Sequence, residues 1–281
     1  MDSHRSEDSA HLGARLVDGY LRRLGTGRPP RPTAAALSEL HLRQLLTVPF
    51  ENLSVQLGER IVLEERRLVE KVVEKRRGGF CYELNGAFGT LLAALGFEVT
   101  FLAARVFGAE GRLGIPYDHM ALKVGTADGR TWLADVGFGA HSHHPLRWED
   151  RGEQKDPGGM FRIVEAADVD AGDLDVVKNG SPEYRLEVRP RALGDFVTGA
   201  WWHSTSPESH FTRSLVCSRV TEDGGRITLS GRRLKETTPE GGDMERELVT
   251  DEEVLGVYRE RFGIELEQVP EVRAAGADRL G

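Results

Sequence analysis

Residues 77–107 read RGGFCYELNGAFGTLLAALGFEVTFLAARVF, and the spacing of apolar residues changes in the middle of this stretch. Up to Leu95, the side chains Leu84, Phe88, Leu91, Leu92 and Leu95 recur three and four positions apart, which lines them along one stripe of a helix that begins near Cys81 and stops at Gly96. From Phe97 the period shortens towards two, the spacing of a strand whose side chains alternate between faces. A chain that switches from helix to strand at this point reads as α+β, with its helices gathered upstream.

The upstream residues agree. Leu12, Leu16, Val17, Tyr20, Leu21 and Leu24 keep helical spacing and stop at Gly25, and Thr33 is placed to cap a second helix carrying Leu37, Leu40, Leu45 and Leu46 before Pro49. The stretch between them, GTGRPPRP, reads as a stiff linker. A third amphipathic segment, Glu64 to Arg76, puts Leu68, Val69, Val72 and Val73 on one side and ends at Gly78-Gly79; its charges read as a solvated face. Downstream, strands are expected at 97–107, 118–125, 131–137, 160–165, 184–189, 213–220 and 226–231, the last two joined by Glu222-Asp223-Gly224-Gly225. A last helix runs from Thr250, whose hydroxyl and Glu253 form a capping box, to Arg261, with Gly263 as its stop. Residues 1–8 and 271–281 lack a periodic apolar pattern and read as loose ends. Neither an internal repeat nor a low-complexity tract is present.

The chain has 281 residues, 39% of them hydrophobic, enough to bury a core in two or three modest domains. Lys plus Arg is 37 against 45 Asp plus Glu, a net charge of -8, so its field repels phosphate backbones and anionic lipid heads, and neither nucleic acid nor a membrane is an expected partner. No apolar run approaches the roughly 20 residues that cross a bilayer, and the opening MDSHRSEDSAHLG lacks the apolar core of a secretory signal, which makes the cytoplasm the expected location. Two cysteines, Cys81 and Cys217, are too few for a disulfide framework and suggest no zinc site.

Cys81 opens a helix, where unpaired backbone N–H groups and the positive end of the dipole favour a thiolate. Its shared face with Leu84 and Phe88 allows a plain core cysteine as well. In Tyr117-Asp118-His119-Met120-Ala121-Leu122-Lys123-Val124, alternation puts Met120, Leu122 and Val124 on one face and His119, Ala121 and Lys123 on the other. Asp135 stands in an otherwise apolar strand, where a carboxylate is costly unless paired, and an imidazolium is the obvious partner; a strand-end carboxylate bonding a loop is the alternative. The strands flank Asp128-Gly129, and register decides between these. A loop with an odd number of residues puts His119 and Asp135 on the same face, whereas a two-residue turn separates them. Together the three residues make a Cys–His–Asp set in which Asp135 orients His119 and His119 deprotonates Cys81.

Five strings in order carry a more specific likeness: Val48-Pro49-Phe50-Glu51-Asn52-Leu53, Arg77-Gly78-Gly79-Phe80-Cys81-Tyr82-Glu83-Leu84-Asn85, Asp118-His119-Met120, Asp135-Val136-Gly137-Phe138-Gly139 and Ser206-Pro207-Glu208-Ser209-His210-Phe211. They closely resemble the arylamine N-acetyltransferase family over most of the chain. The resemblance implies a helical N-terminal domain (1–96), a β-barrel-like middle domain (97–203) and an α/β C-terminal lid (204–281), with a catalytic Cys81–His119–Asp135 triad at the junction of the first two. It implies an aromatic pocket including Phe50, Phe138 and Phe211, for each of which core packing is the plain alternative, and an ion pair between Glu51 and Arg77 under the active-site loop. Acetyl-coenzyme A is the family's acyl donor and no metal is expected. The chain has no Walker-type phosphate loop, and Gly137-Phe138-Gly139 and the segment Gly114-Ile115-Pro116-Tyr117 are the approach surfaces suggested for coenzyme A. The segment Ala140-His141-Ser142-His143-His144-Pro145 departs from the likeness and reads as a solvent-exposed loop, although three histidines could bind a metal. Cys217 alternates with Leu215 and reads as core.

The implied activity is ping-pong transfer of acetyl from acetyl-coenzyme A to an arylamine or arylhydrazine through acyl-Cys81, the chemistry of xenobiotic metabolism. Two other readings use the same residues. One is an amide synthase closing a polyketide onto an aromatic amine; the other is a transglutaminase-like cysteine hydrolase, or a binding module that kept the triad for structure. The sequence leaves a homodimer open.

Overall fold

The computed structural model describes residues 12–167 and 172–272, so the expectations for residues 1–8 and 273–281 concern chain outside the described residues. Helices α1 (Ala14–Leu24) and α2 (Ala34–Thr47) form as the apolar spacing requires, the second with the Thr33 hydroxyl accepting the Ala36 N–H. They precede a two-residue strand β1 (Phe50–Glu51), α3 (Leu53–Leu57), α4 (Glu65–Val73) and α5 (Cys81–Ala94). Leu16, Tyr20, Leu37, Leu40, Leu68, Val72, Phe88 and Leu91 pack into one helical core.

α4 is shorter than its apolar spacing suggested. Arg76 turns left-handed, and the Arg23 guanidinium donates to the carbonyls of Val72, Arg76 and Arg77, satisfying from outside the groups that a longer helix would satisfy within itself. Gly78-Gly79 has a different task from stopping a helix. A Cβ on Gly78 would lie 1.8 Å from the Pro49 carbonyl oxygen, so this approach to β1 excludes any side chain there. The charged face of α4 is not wholly solvated either, because Lys71 turns inward to Glu83 at 2.6 Å.

An eight-stranded antiparallel sheet follows: β2 (Glu98–Val106), β3 (His119–Gly125), β4 (Thr131–Ala134), β5 (Leu146–Arg147), β6 (Gln154–Asp156), β7 (Gly159–Glu165), β8 (Leu174–Lys178) and β9 (Ser181–Arg191), ordered β5-β4-β3-β2-β9-β8-β7-β6. The edge strands β5 and β6 meet through Gln154, whose carboxamide accepts the Arg147 N–H at 2.7 Å and donates to the Arg147 carbonyl at 3.1 Å, nearly closing a barrel. Its interior holds Leu102, Ala121, Leu133, Phe161, Ile163, Val176 and Leu186. β3 is buried on both faces: Met120, Leu122 and Val124 join the helical core, and Ala121 joins the barrel interior. This is the alternation read from the sequence.

The chain continues through α6 (Val197–Thr205) and α7 (His210–Arg213) to β10 (Val216–Val220), β11 (Arg226–Ser230), β12 (Arg233–Thr237), β13 (Asp243–Glu247) and α8 (Asp251–Val257). The strand expected from residue 213 therefore starts three residues later, because α7 occupies that position. β12 and β13 were not anticipated: their charged side chains resemble a loop, but they pair backbone to backbone with Lys235 bridging to Asp243 at 2.8 Å. The second sheet runs β1-β10-β11-β12-β13, so the helical segment contributes its edge strand, with Glu51 opposite Cys217. Leu229, Leu234, Val254, Tyr258 and fully buried Cys217 form its core. The capping box at Thr250 and the left-handed Gly263 stand where the sequence placed them. Among the described residues no helix is long and apolar enough to cross a membrane.

Arg77 joins these parts. Its Nε and Nη2 donate to the two carboxylate oxygens of Glu51 at 2.9 and 3.2 Å, and Glu51 also accepts the Leu53 N–H at 2.7 Å. Glu51 is fully buried, so removing the guanidinium strands a charge, at a cost of about 3–5 kcal/mol. Arg77→Met and Glu51→Ala are each expected to lower Tm by many degrees in thermal unfolding; unchanged Tm in both would show that the pair does not hold the fold.

Candidate active site

β3 and β4 pair Gly125 with Thr131 and Leu122 with Ala134, which leaves five residues, 126–130, in the loop. The loop is odd, and His119 and Asp135 come to the same face: His119 Nε2 lies 2.7 Å from Asp135 Oδ2. β4 ends at Ala134, one residue before Asp135, because Oδ1 accepts the Gly137 N–H at 3.0 Å and bends the chain out of the sheet. The strand expected over 131–137 is correspondingly shorter. Strand-end bonding and pairing with His119 thus occur together.

Asn85 was part of a motif but had no assigned role. It stands one turn after Cys81 on α5 and uses its whole amide: Nδ2 donates to Asp135 Oδ1 at 2.9 Å and to the Met120 carbonyl at 2.6 Å, and Oδ1 accepts the Val136 N–H at 3.0 Å. His41, a second residue the sequence reading passed over, accepts the Asp135 N–H on Nε2 at 3.2 Å and bonds the His143 carbonyl through Nδ1 at 2.9 Å. Its place among leucines on α2 made it look like one polar residue of an amphipathic helix.

Burial alone would push the His119 imidazole towards its neutral form. The charge and hydrogen bond of Asp135, with a hydrogen bond to Cys81, outweigh that and raise its proton affinity. Burial would likewise raise the Asp135 carboxyl, but the charge and hydrogen bond of His119 hold it below the usual carboxylate range. With Nε2 committed to Asp135, Nδ1 is the ring nitrogen left for the thiol. Cys81 is the first residue of α5 and 4% exposed. Gly137 lies against it so closely that a Cβ there would come within 2.8 Å of Cys81 Cα.

The three phenylalanines divide. Phe211 lies 6.0 Å from Phe50 and 5.6 Å from Phe80 between ring centroids, whereas Phe138 is on the barrel side, 5.1 Å from the His119 ring and 5.0 Å from Tyr184. All three are half-buried. Of the residues suggested for coenzyme A, Ile115 and Tyr117 line a cavity of about 380 Å³ with Asp195, Thr198 and Trp202, and Gly139 has open space on its Cα. Gly114 and Gly137 are instead held in close backbone packing, Gly114 against the Asp118 carboxylate. The histidine loop is not exposed as expected. His141 is buried among Phe138, Phe161 and Tyr184, and His143 is buried with its N–H on Asp156 at 2.7 Å. His144 bonds Ser38, so the three side chains diverge, and among the described residues no cluster of three or more His, Cys, Asp or Glu could hold a metal ion.

A sequence model of the N-acetyltransferase family matches residues 33–271. The chain is 35% identical over 216 residues to the arylamine N-acetyltransferase / N-hydroxyarylamine O-acetyltransferase of Salmonella typhimurium, covering 76% of each chain. It is 35% identical over 256 residues to the arylamine N-acetyltransferase of Mycolicibacterium smegmatis, covering 89% of this chain and 92% of that one. The solved Salmonella typhimurium enzyme aligns with a TM-score of 0.83 at 30% identity over 94% of this chain and 96% of that one. The Mycobacterium marinum enzyme in complex with CoA aligns at 0.79 and 31% identity over 88% and 92%. The chain belongs to the arylamine N-acetyltransferase family.

Burial holds His41 and His141 down to about 4, so both stay neutral in the folded protein while the unfolded chain takes up protons from about pH 6.5 downward. Each therefore withdraws about 1.4 kcal/mol of stability per pH unit between roughly pH 6.5 and 4. His119 acts oppositely: its raised affinity stabilises the fold below about pH 6.5 and loses that contribution as pH rises. Urea unfolding is expected to give a stability maximum near neutrality with a steep acid limb, and His141→Phe should flatten that limb. An identical acid slope in the variant would contradict the assignment of His141.

Proposed function

We propose that Cys81, His119 and Asp135 are the catalytic residues of an arylamine N-acetyltransferase that takes its acetyl group from acetyl-coenzyme A. The observation that carries this reading is the buried His119–Asp135 pair, 2.7 Å apart, beside the thiol at the start of α5. His119 receives the thiol proton, and the Cys81 sulfur attacks the thioester carbonyl. The C–S bond to coenzyme A breaks as the new C–S bond to Cys81 is kept, and the departing thiolate takes the proton back from His119. An amine nitrogen then attacks acetyl-Cys81 and loses its proton to His119, leaving the N-acetyl product and the free cysteine. Asp135 keeps the imidazole in one orientation through both halves.

Phe50 and Phe211 on one side and Phe138 on the other form the apolar walls that a flat amine or hydrazine would meet. For the donor, the cavity beside Ile115 and Tyr117 is within the size range of small-molecule sites. Arg226 and Lys178 donate to the carbonyls of Gly139 and Ala140 at 2.6 and 2.8 Å, which puts cationic charge of the kind a phosphate needs beside the open face of Gly139. We read the chain as three domains with the site between the first two, in keeping with its three apolar cores; the boundary at 203/204 falls within α6, whose Ala200 belongs to the helical core. Arylamine detoxification in the cytoplasm is the setting that follows. The amide-synthase and transglutaminase-like readings are not favoured by any of the relatives described above.

Mass spectrometry after acetyl-coenzyme A without acceptor should find one acetyl group on Cys81, and Cys81→Ser should abolish turnover. An unmodified Cys81, or a fully active serine variant, would overturn the assignment. Burial of one aromatic ring contributes about 1.5–3 kcal/mol, or roughly 10- to 150-fold in kcat/KM if realised in the transition state. Arylamines and hydrazides should accordingly exceed n-alkylamines by such a factor, and Phe211→Ala should narrow the gap; equal rates for alkylamines would refute the pocket.

A further inference from the structure

A second, partly buried histidine–carboxylate contact lies beside the first, and the reaction above does not use it. His203 on α6 places Nε2 2.9 Å from Asp118 Oδ1 and Nδ1 3.2 Å from Ser209 Oγ. Asp118 directly precedes His119, and its other oxygen accepts the Val106 N–H at 3.1 Å. Ser209 is the N-cap of α7, its Oγ accepting the Phe211 N–H at 3.2 Å. One imidazole therefore bridges the residue next to His119 and the cap of the short helix that carries Phe211.

The order Ser–His–Asp is that of a nucleophile relay, but Ser209 is 1% exposed and its oxygen is already committed to the α7 cap. It is no acyl acceptor, and what remains is positioning. An imidazole with its proton on Nε2 satisfies every partner: it donates to Asp118 and accepts the Ser209 O–H, leaving the serine lone pairs for Phe211 N–H. The ring is fixed in orientation by Trp202 at 4.9 Å and Phe211 at 5.4 Å between centroids. Tyr82, one residue after Cys81, closes the same corner, its hydroxyl donating to the carbonyls of Tyr117 and Asp118 at 2.6 and 3.1 Å. The carbonyl of Phe211 is held separately from α3, by Asn52 at 2.9 Å and Gln56 at 2.7 Å. Besides the ring contacts of Phe211, hydrogen bonds thus hold α7 from two sides: α3 holds its carbonyl side, and His203 holds its N-terminal side relative to the His119 strand.

We propose that His203 is a positioning residue that holds Phe211 in register with His119 and so sets the acceptor pocket, acting on amine binding and not on acylation of Cys81. This inference rests on the acyl-transfer reading. Breaking one hydrogen bond of this kind should raise the acceptor KM by about tenfold. The α3 anchor keeps α7 in place meanwhile.

The test separates the two half-reactions. In His203→Leu, acetylation of Cys81 by acetyl-coenzyme A, followed by mass spectrometry, should stay within about twofold of wild type while KM for an aniline acceptor rises about tenfold and kcat changes little. His203→Gln should restore KM, since its amide can donate to Asp118 and accept from Ser209. Ser209→Gly cuts the same bridge at a position where glycine is itself a tolerated helix cap, and it covers the case in which the leucine variant fails to fold. An unchanged acceptor KM in the leucine or glycine variant, or leucine and glutamine variants equally impaired in both half-reactions, would overturn the proposal. A wild-type protein that gains no acetyl on Cys81 would instead overturn the acyl-transfer reading.

Discussion

A carboxylate buried to 1% exposure is the constraint around which this molecule is organised. Left alone, Asp135 would be protonated or would destabilise the fold. Its two oxygens instead receive His119, Asn85 and the Gly137 N–H, and its own N–H goes to His41. Those partners come from β3, from α5, from the turn after β4 and from α2. Satisfying one charge therefore fixes the helical core against the barrel, and it aims the start of α5 at the imidazole.

The approach between these layers is as close as backbone permits. Gly137 lies against Cys81, and Gly78 lies against Pro49, which lets the loop before α5 run beside β1. The Glu51–Arg77 pair secures that loop at its other end, and β1 extends the C-terminal sheet. Core packing and site assembly are thus one event: the residues that close the structure also carry Cys81 to His119. In the acyl-transfer reading, chemistry then needs little motion, because the base is oriented by contacts that exist before any ligand arrives.

The side proposed for the acceptor is built differently. Phe211 belongs to a four-residue helix whose attachments are side-chain hydrogen bonds from Asn52, Gln56 and Ser209 and ring contacts, with little apolar core of its own. Such a segment is positioned by a few specific bonds. Variation there can retune a pocket while the His119–Asp135 centre stays intact, and His203 is the bond that couples the two.

By itself the sequence determined what periodicity and local chemistry can determine. The stripes on α1, α2 and α5, the caps at Thr33 and Thr250, the alternation on β3 and the five ordered strings were legible, because each depends on neighbours within a turn of helix or a few residues of strand. Tertiary structure alone decided the rest. The five-residue loop that brings His119 and Asp135 to one face is a matter of register. β1, β12 and β13 are strands only because partners distant in sequence complete their hydrogen bonds. Asn85, His41 and His203 gain their roles from residues 50, 94 and 85 positions away, and the histidine loop is buried because the aromatic side chains of the barrel fill the space around it. No local pattern encodes a partner at that separation; it exists only once the chain has paid the entropy of bringing the segments together.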